Sequence, residues 1–173
     1  MSQFYGSGDG GYDINLAKAL EYGIKAADAG DEFGMYMLAY CYQEGWGLPE
    51  KDNISALRCY GLCVDEYLHE SNHNIGLIYS IGGHGIEKDL TKAVDYGRKA
   101  ADSGHKEAQD FLGDMYFSGK GVDQSFADAR NCYKLAADQK FPAAQFKLGL
   151  MIIKKQGLDE EQRFSEGIDF IEK

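Results

Sequence analysis

The chain of 173 residues carries 28 acidic against 18 basic side chains, and its formal charge of −10 opposes a phosphate backbone or an anionic membrane surface. Its length suits one domain and 44% hydrophobic residues suffice for a core, but no apolar run is long enough to cross a membrane as a helix. Met1–Tyr12 has neither the basic start nor the apolar stretch of a signal peptide, so the chain reads as cytoplasmic.

Residues 1–12, with four glycines and no helical periodicity, read as a flexible lead-in. Beyond them the chain repeats itself. Gly45-Trp46-Gly47-Leu48, Gly83-His84-Gly85-Ile86 and Gly119-Lys120-Gly121-Val122 recur at spacings of 36 to 38 residues, the period of stacked helical hairpins. Before each loop stands a Leu or Ile, a small residue, and an apolar residue three further on. These are Leu38, Ala39 and Tyr42; Ile75, Gly76 and Tyr79; Leu112, Gly113 and Tyr116; Leu148, Gly149 and Ile152. That spacing marks one face of a helix.

After each loop a second helix carries Ala19, Ala56, Ala93 or Ala129 at its start and, in three copies, an Ala-Ala pair at 26-27, 100-101 or 136-137. Small residues in fixed phase let neighbouring helices approach closely. In chain order the pattern predicts helices beginning near 13, 32, 53, 70, 90, 106, 126, 142 and 162, about nine in all, with no β-sheet. They divide into a half repeat at 13–30, hairpins at 31–67, 68–104 and 105–140, and a degenerate last repeat at 141–173, all in one solenoid over 13–173. An extra loop residue at Gly82-Gly83-His84-Gly85, and Tyr67 where Gly30 and Gly104 stand elsewhere, predict a distortion near 67–85.

The columns L-G-x-x-Y-x-x-G-x-G-V and K-A-x-x-Y-x-x-A-A-x-x-G resemble the Sel-one-like repeat, a relative of the tetratricopeptide repeat, over roughly residues 13–173. The resemblance implies an all-α fold, a right-handed α-solenoid or α-α superhelix, whose first helices line a concave face. It also implies adaptor or regulatory work through protein contacts. A secreted branch of the family pairs cysteines within each repeat. Here Cys59 and Cys132 are equivalent positions in different repeats while Cys41 and Cys63 have no mates, so the expectation is buried free thiols.

Chemical motifs are sparse. Ser103-Gly104-His105-Lys106 matches the S-x-x-K of β-lactam-binding enzymes but lacks the companion motifs. The segment Gly113 to Lys120 has five residues between its glycines where a phosphate loop has four, and Gly121 stands where Ser or Thr would bind magnesium. His69 and His73 have metal-ligand spacing, but the alignment places a turn at 67–70 between the hairpins, which argues against a shared helix. No catalytic residue, metal or cofactor is expected.

A 100° step per residue puts the side of each first helix opposite the core at 33, 36, 40 and 43, and at the equivalent positions of later repeats. The candidate partner-binding residues are Phe33, Tyr36, Tyr40, Glu70, His73, Glu107, Asp110, Asp114, Phe117 and Phe146. Tyr36, Tyr40 and Phe117 are the expected anchors, and Glu107, Asp110 and Asp114 the expected receivers of cationic groups. The sequence therefore reads as a noncatalytic scaffold binding a protein or peptide with a basic segment, not nucleic acid or membrane. An immunity protein neutralising a basic toxin, and a β-lactam-binding hydrolase, are the alternatives. The oligomeric state is not legible.

Overall fold

A computed structural model describes residues 15–154. They form eight helices: α1 (Leu16–Asp28), α2 (Glu32–Glu44), α3 (Asn53–Tyr60), α4 (Leu68–Ile81), α5 (Leu90–Asp102), α6 (Lys106–Ser118), α7 (Phe126–Asp138) and α8 (Pro142–Ile153). Among the described residues there is no strand, and an isolated bridge joins Gly83 and Ile86 at a loop tip. Six of the eight helices start where the repeat columns predict, and α1 and α4 start within three residues of it. The lead-in at 1–12 and the helix expected near 162 lie outside the described residues.

Short polar side chains at the helix starts explain the boundaries, because each accepts a backbone N–H that the first turn leaves without a partner. Asp31 accepts from Gly34, Asp52 from Ser55, and Ser125 from Asp128. His105 fills the same role for α6 through Nδ1, at 3.2 Å from Ala108 N. The recurring loops are equivalent in structure. In each, the backbone N–H that opens the second helix donates to the tyrosine of the core column: Asp52 to Tyr42, Asp89 to Tyr79, Ser125 to Tyr116. Gly47, Gly85 and Gly121 all have positive φ, which is why the loop requires glycine there.

The expected distortion is resolved into two parts. Helix α3 has 8 residues where α1, α5 and α7 have 13, and the chain from Gly61 to Tyr67 runs out as an irregular link. The Glu32 carboxylate gathers that link by accepting N–H groups from Val64, Asp65, Glu66 and Tyr67, at 2.8–3.4 Å. These bonds, led by that of Asp65, hold the carboxyl below its ordinary range. The second part is Gly82, which follows α4 at φ 74 and ψ −159, whereas Gly45 and Gly119 end α2 and α6 in the left-handed helical region. The extra loop residue is accommodated by that change of ψ.

The chain divides into an N-terminal unit, Met1–Tyr96, and a C-terminal unit, Gly97–Lys173, with the boundary inside α5. In the first, α1 packs on α2, α2 on α3 and α3 on α4. Ala39, Ala56, Tyr60, Ile75 and Ile78 form its core, and Tyr36, Tyr42 and Tyr79 lean on it. In the second, α6 packs on α7 and α7 on α8, around Ala129, Tyr133, Ala136, Ala144 and Met151. Both cores are built on alanines with no exposed surface, Ala39, Ala56, Ala129 and Ala136 among them, so the small-residue columns do set the helix spacing.

A further core column was not singled out in the sequence: Cys41, Ile78, Met115 and Met151, each at most 8% exposed. Its members differ too much in chemistry to be seen as a pattern. All four cysteines are free. Burial pushes the Cys41 and Cys132 thiols up to about 11, which leaves them protonated and unreactive at neutral pH.

Candidate functional site

The ten candidate residues fall into the two units, five in each. In the N-terminal unit the first-helix face is an aromatic cluster. The Phe33 ring lies 5.4 Å from Tyr67, and Tyr36 stacks on Tyr67 at 5.2 Å and tilts against Tyr60 at 5.8 Å. Tyr36 is therefore not a free-standing anchor. It is half-buried, and its hydroxyl accepts a weak bond from Asn74 Nδ2 at 3.4 Å. Tyr40 meets Trp46 edge-on at 5.1 Å and is likewise half-buried.

Glu70 and His73 lie in α4, and so does His69. The turn expected at 67–70 ends earlier than the alignment placed it, because α4 begins at Leu68; the two histidines do share a helix. Among the described residues, however, no group of three His, Cys, Asp or Glu is placed to hold a metal ion. Glu70 Oε2 stands 4.0 Å from His69 Nε2, is buried, and accepts no hydrogen bond among the described residues.

In the C-terminal unit the expected trio of carboxylates is not arranged as a receiver for outside cations. Lys147, on α8, places its ammonium 2.9 Å from Asp110 Oδ2 and 2.8 Å from Asp114 Oδ2, and 5.3 Å from the centre of the Tyr133 ring. The Tyr133 hydroxyl donates to Asp114 Oδ1 at 2.7 Å. Glu107 turns away to the start of its helix, 3.6 Å from His105 Nδ1. In the sequence the three acids share one helix face. The fold separates them because a lysine from the next hairpin reaches Asp110 and Asp114 but not Glu107, which lies beside the helix start.

Burial raises the Asp110 carboxyl above its ordinary range despite Lys147, and Asp114 adds to the rise. Asp110 Oδ1 is itself buried without a hydrogen bond among the described residues. Burial also works against the Lys147 ammonium, but the bonds and charges of Asp110 and Asp114 outweigh it and hold the lysine above its usual value. Phe117 packs edge-on against Phe126 at 5.3 Å. Beside it, Asp114, Phe117, Tyr133, Lys147, Leu150, Met151 and Lys154 line an open pocket of about 280 Å³. Phe146 is 69% exposed and Ile153 75% exposed on α8, at positions of the predicted binding face.

Two side chains central to these sites, Tyr133 and Lys147, were missed. Tyr133 stands in the repeat register of Tyr60, each four residues after the column alanine of its helix, Ala129 and Ala56, a signal that was present in the sequence. Gly113 makes room for it: a Cβ there would come within 2.6 Å of the Tyr133 ring. Lys147 occupies the repeat register of Asn74, and nothing in the sequence marks a lysine as inward-turned.

The Sel1 repeat model matches residues 1–31, 33–62, 69–105, 106–141 and 142–163. Among curated proteins the chain is similar to cytochrome c oxidase assembly factor 7A of Xenopus laevis, 27% identical over 126 residues covering 70% of this chain and 54% of the relative. It thus spans about half the length of the curated relatives it matches. Among solved structures it is similar to a protective antigen of uropathogenic Escherichia coli strains displaying an SLR fold. That likeness has a TM-score of 0.78 at 29% identity, covering 91% of this chain and 33% of the antigen. A Sel1 repeat protein from Oxalobacter formigenes aligns with a TM-score of 0.74 at 24% identity, over 91% of this chain and 62% of that one. With all-helical hairpins, equivalent loops and repeat matches along most of its length, the chain belongs to the Sel1 repeat family and has its α-solenoid fold.

Proposed function

We propose that the chain is a noncatalytic scaffold that binds a protein or peptide segment on the first-helix faces of its units. The observation that carries this reading is the apolar exposure on α8, where Phe146, Leu150 and Ile153 face solvent at 69%, 39% and 75%. Large side chains exposed in register on one face are characteristic of recognition surfaces. They adjoin the pocket at Phe117, Leu150 and Met151, which has room for an apolar side chain of the partner. The N-terminal face, with Phe33, Tyr36, Tyr40, Glu70 and His73, supplies aromatic surface and negative charge.

Two further observations support the reading. The charge of −10 favours a partner segment of positive charge at long range. The curated relatives are named as assembly factors, a kind of work that contacts between proteins can perform. The test is selection of random displayed peptides on the folded chain, followed by affinity measurement with Phe146→Ala and Leu150→Ala combined. Enriched peptides should bind the double variant about tenfold or more weakly. A chain that enriches no peptide is not a scaffold of this kind.

A further inference from the structure

The pocket of the C-terminal unit has a counterpart in the N-terminal unit. Phe117, Leu150, Met151 and Lys154 stand in the repeat registers of Gln43, Leu77, Ile78 and Ile81, and the latter line an open pocket of about 620 Å³. What fills the two places differs. In the C-terminal unit Phe117 packs edge-on against Phe126 at 5.3 Å, and the pocket beside it holds about 280 Å³. In the N-terminal unit the registers of Phe117 and Phe126 hold two carboxamides, Gln43 and Asn53. Gln43 Oε1 accepts from the Tyr60 hydroxyl at 2.9 Å, and the buried Asn53 donates through Nδ2 to Gly83 O at 3.1 Å. That bond fixes the loop with the extra residue, whose Gly82, Gly83 and His84 form a wall of the pocket. Two amides bound to different partners replace a ring pair, and the space is correspondingly larger.

The lining states what would fit. Its apolar side can be reached from solvent, since Ile81 is 75% exposed and Leu77 half-buried. At the rim the Lys51 ammonium meets the Glu44 carboxylate at 3.0 Å, so the two charges answer each other and neither calls for a charged occupant. Gln43 keeps donor capacity, because its Nε2 carries two hydrogens and makes only a long contact, 3.4 Å, with Glu44 Oε1. A neutral apolar side chain with a backbone carbonyl beside it satisfies all three conditions. Where the chain fills the same registers with its own side chains it uses aromatic rings, which favours a ring over an aliphatic group.

We propose that the N-terminal pocket takes an aromatic side chain of the partner segment, phenylalanine or tyrosine, against Leu77 and Ile81, with Gln43 Nε2 donating to a backbone carbonyl of that segment. This rests on the scaffold reading and names the residue by which a partner engages the N-terminal unit.

The experiment takes peptides enriched by random-peptide display on the full chain, replaces their aromatic residues one at a time by alanine, and measures affinity for the wild type and two variants. Gln43→Phe fills the pocket with the ring that Phe117 supplies in the other unit. Ile81→Lys copies Lys154 at an exposed position, and it decides the matter if loss of the Tyr60 bond unfolds the first variant. Expected are peptides with an aromatic residue whose replacement weakens binding to the wild type about tenfold or more. Each variant should bind the parent peptide about tenfold more weakly, and in each the alanine replacement should then cost little, as it does for two groups in contact. Enriched peptides without an aromatic residue, or with one whose replacement costs as much in either folded variant as in the wild type, overturn the aromatic pocket and leave the scaffold reading standing. If no peptide is enriched, both fall.

Discussion

Tyr60 and Tyr133 occupy the same place in the hairpins at 31–67 and 105–140, each buried between the helix before and the helix after, at 1% and 2% exposure. What surrounds their hydroxyls differs. Tyr60 donates to Gln43 and accepts from Asn74, a neutral arrangement, whereas Tyr133 donates to Asp114 within a network of two carboxylates and Lys147. The packing problem is common to both units and has one solution. The polar problem is left to whichever side chains the neighbouring helices bring, and it has been solved twice. A repeat fold thus keeps its shape while its surface electrostatics diverge.

The largest expected effect tests the shared half of this comparison. Tyr60→Ala and Tyr133→Ala should each destabilise by about 3–5 kcal/mol, since both remove a buried ring from an alanine-lined slot that cannot collapse. Denaturant unfolding of each variant measures this. A loss below about 1 kcal/mol in either would break the equivalence.

The next effect belongs to the C-terminal unit alone. Lys147→Met should cost about 1–3 kcal/mol at neutral pH, less than a fully buried pair because Lys147 and Asp114 remain 29% and 49% exposed. Adding Asp110→Asn should recover much of the loss. If the double variant is no better than the single, Lys147 acts by packing on Tyr133 and not by charge.

Removing only the hydroxyls sharpens the contrast. Tyr60→Phe leaves Gln43 and Asn74 without their shared partner, at a cost of about 1–3 kcal/mol. Tyr133→Phe should cost less, because Asp114 keeps Lys147 and solvent. The reverse order in thermal unfolding would show that the charged network depends on the phenol.

The smallest effect is one of sign. The Asp110 carboxyl is held above its ordinary 3.8, so the folded chain binds protons more readily than the unfolded one. Its contribution to stability therefore improves as pH falls through the raised value and is poorest above it. Glu32 is held below its ordinary 4.5, so its contribution is present above that value and is lost as pH falls through the lowered one. Amide protection at Val64 to Tyr67, taken relative to the intrinsic exchange rate at each pH, should fall on acidification, while Asp110→Asn should flatten the opposite trend in its own unit. Carboxylate titration by NMR reads both directions, and like-signed shifts would remove the distinction.

The repeat period, the helix starts, the loop glycines and the alanine columns were all legible in the amino-acid sequence, because each is enforced locally. A left-handed loop position needs glycine, a helix start needs an acceptor within three residues, and close helices need small side chains at fixed phase. The same periodicity located the exposed face of α8 at Phe146, Leu150 and Ile153. It did not disclose the use of Glu32 to hold the link at 64–67, or the reach of Lys147 to Asp110 and Asp114 across 37 and 33 positions. Nor did it show that Tyr36 is wedged among rings. Those contacts depend on long, flexible side chains from different hairpins meeting in space, and only the packing of the helices brings them together.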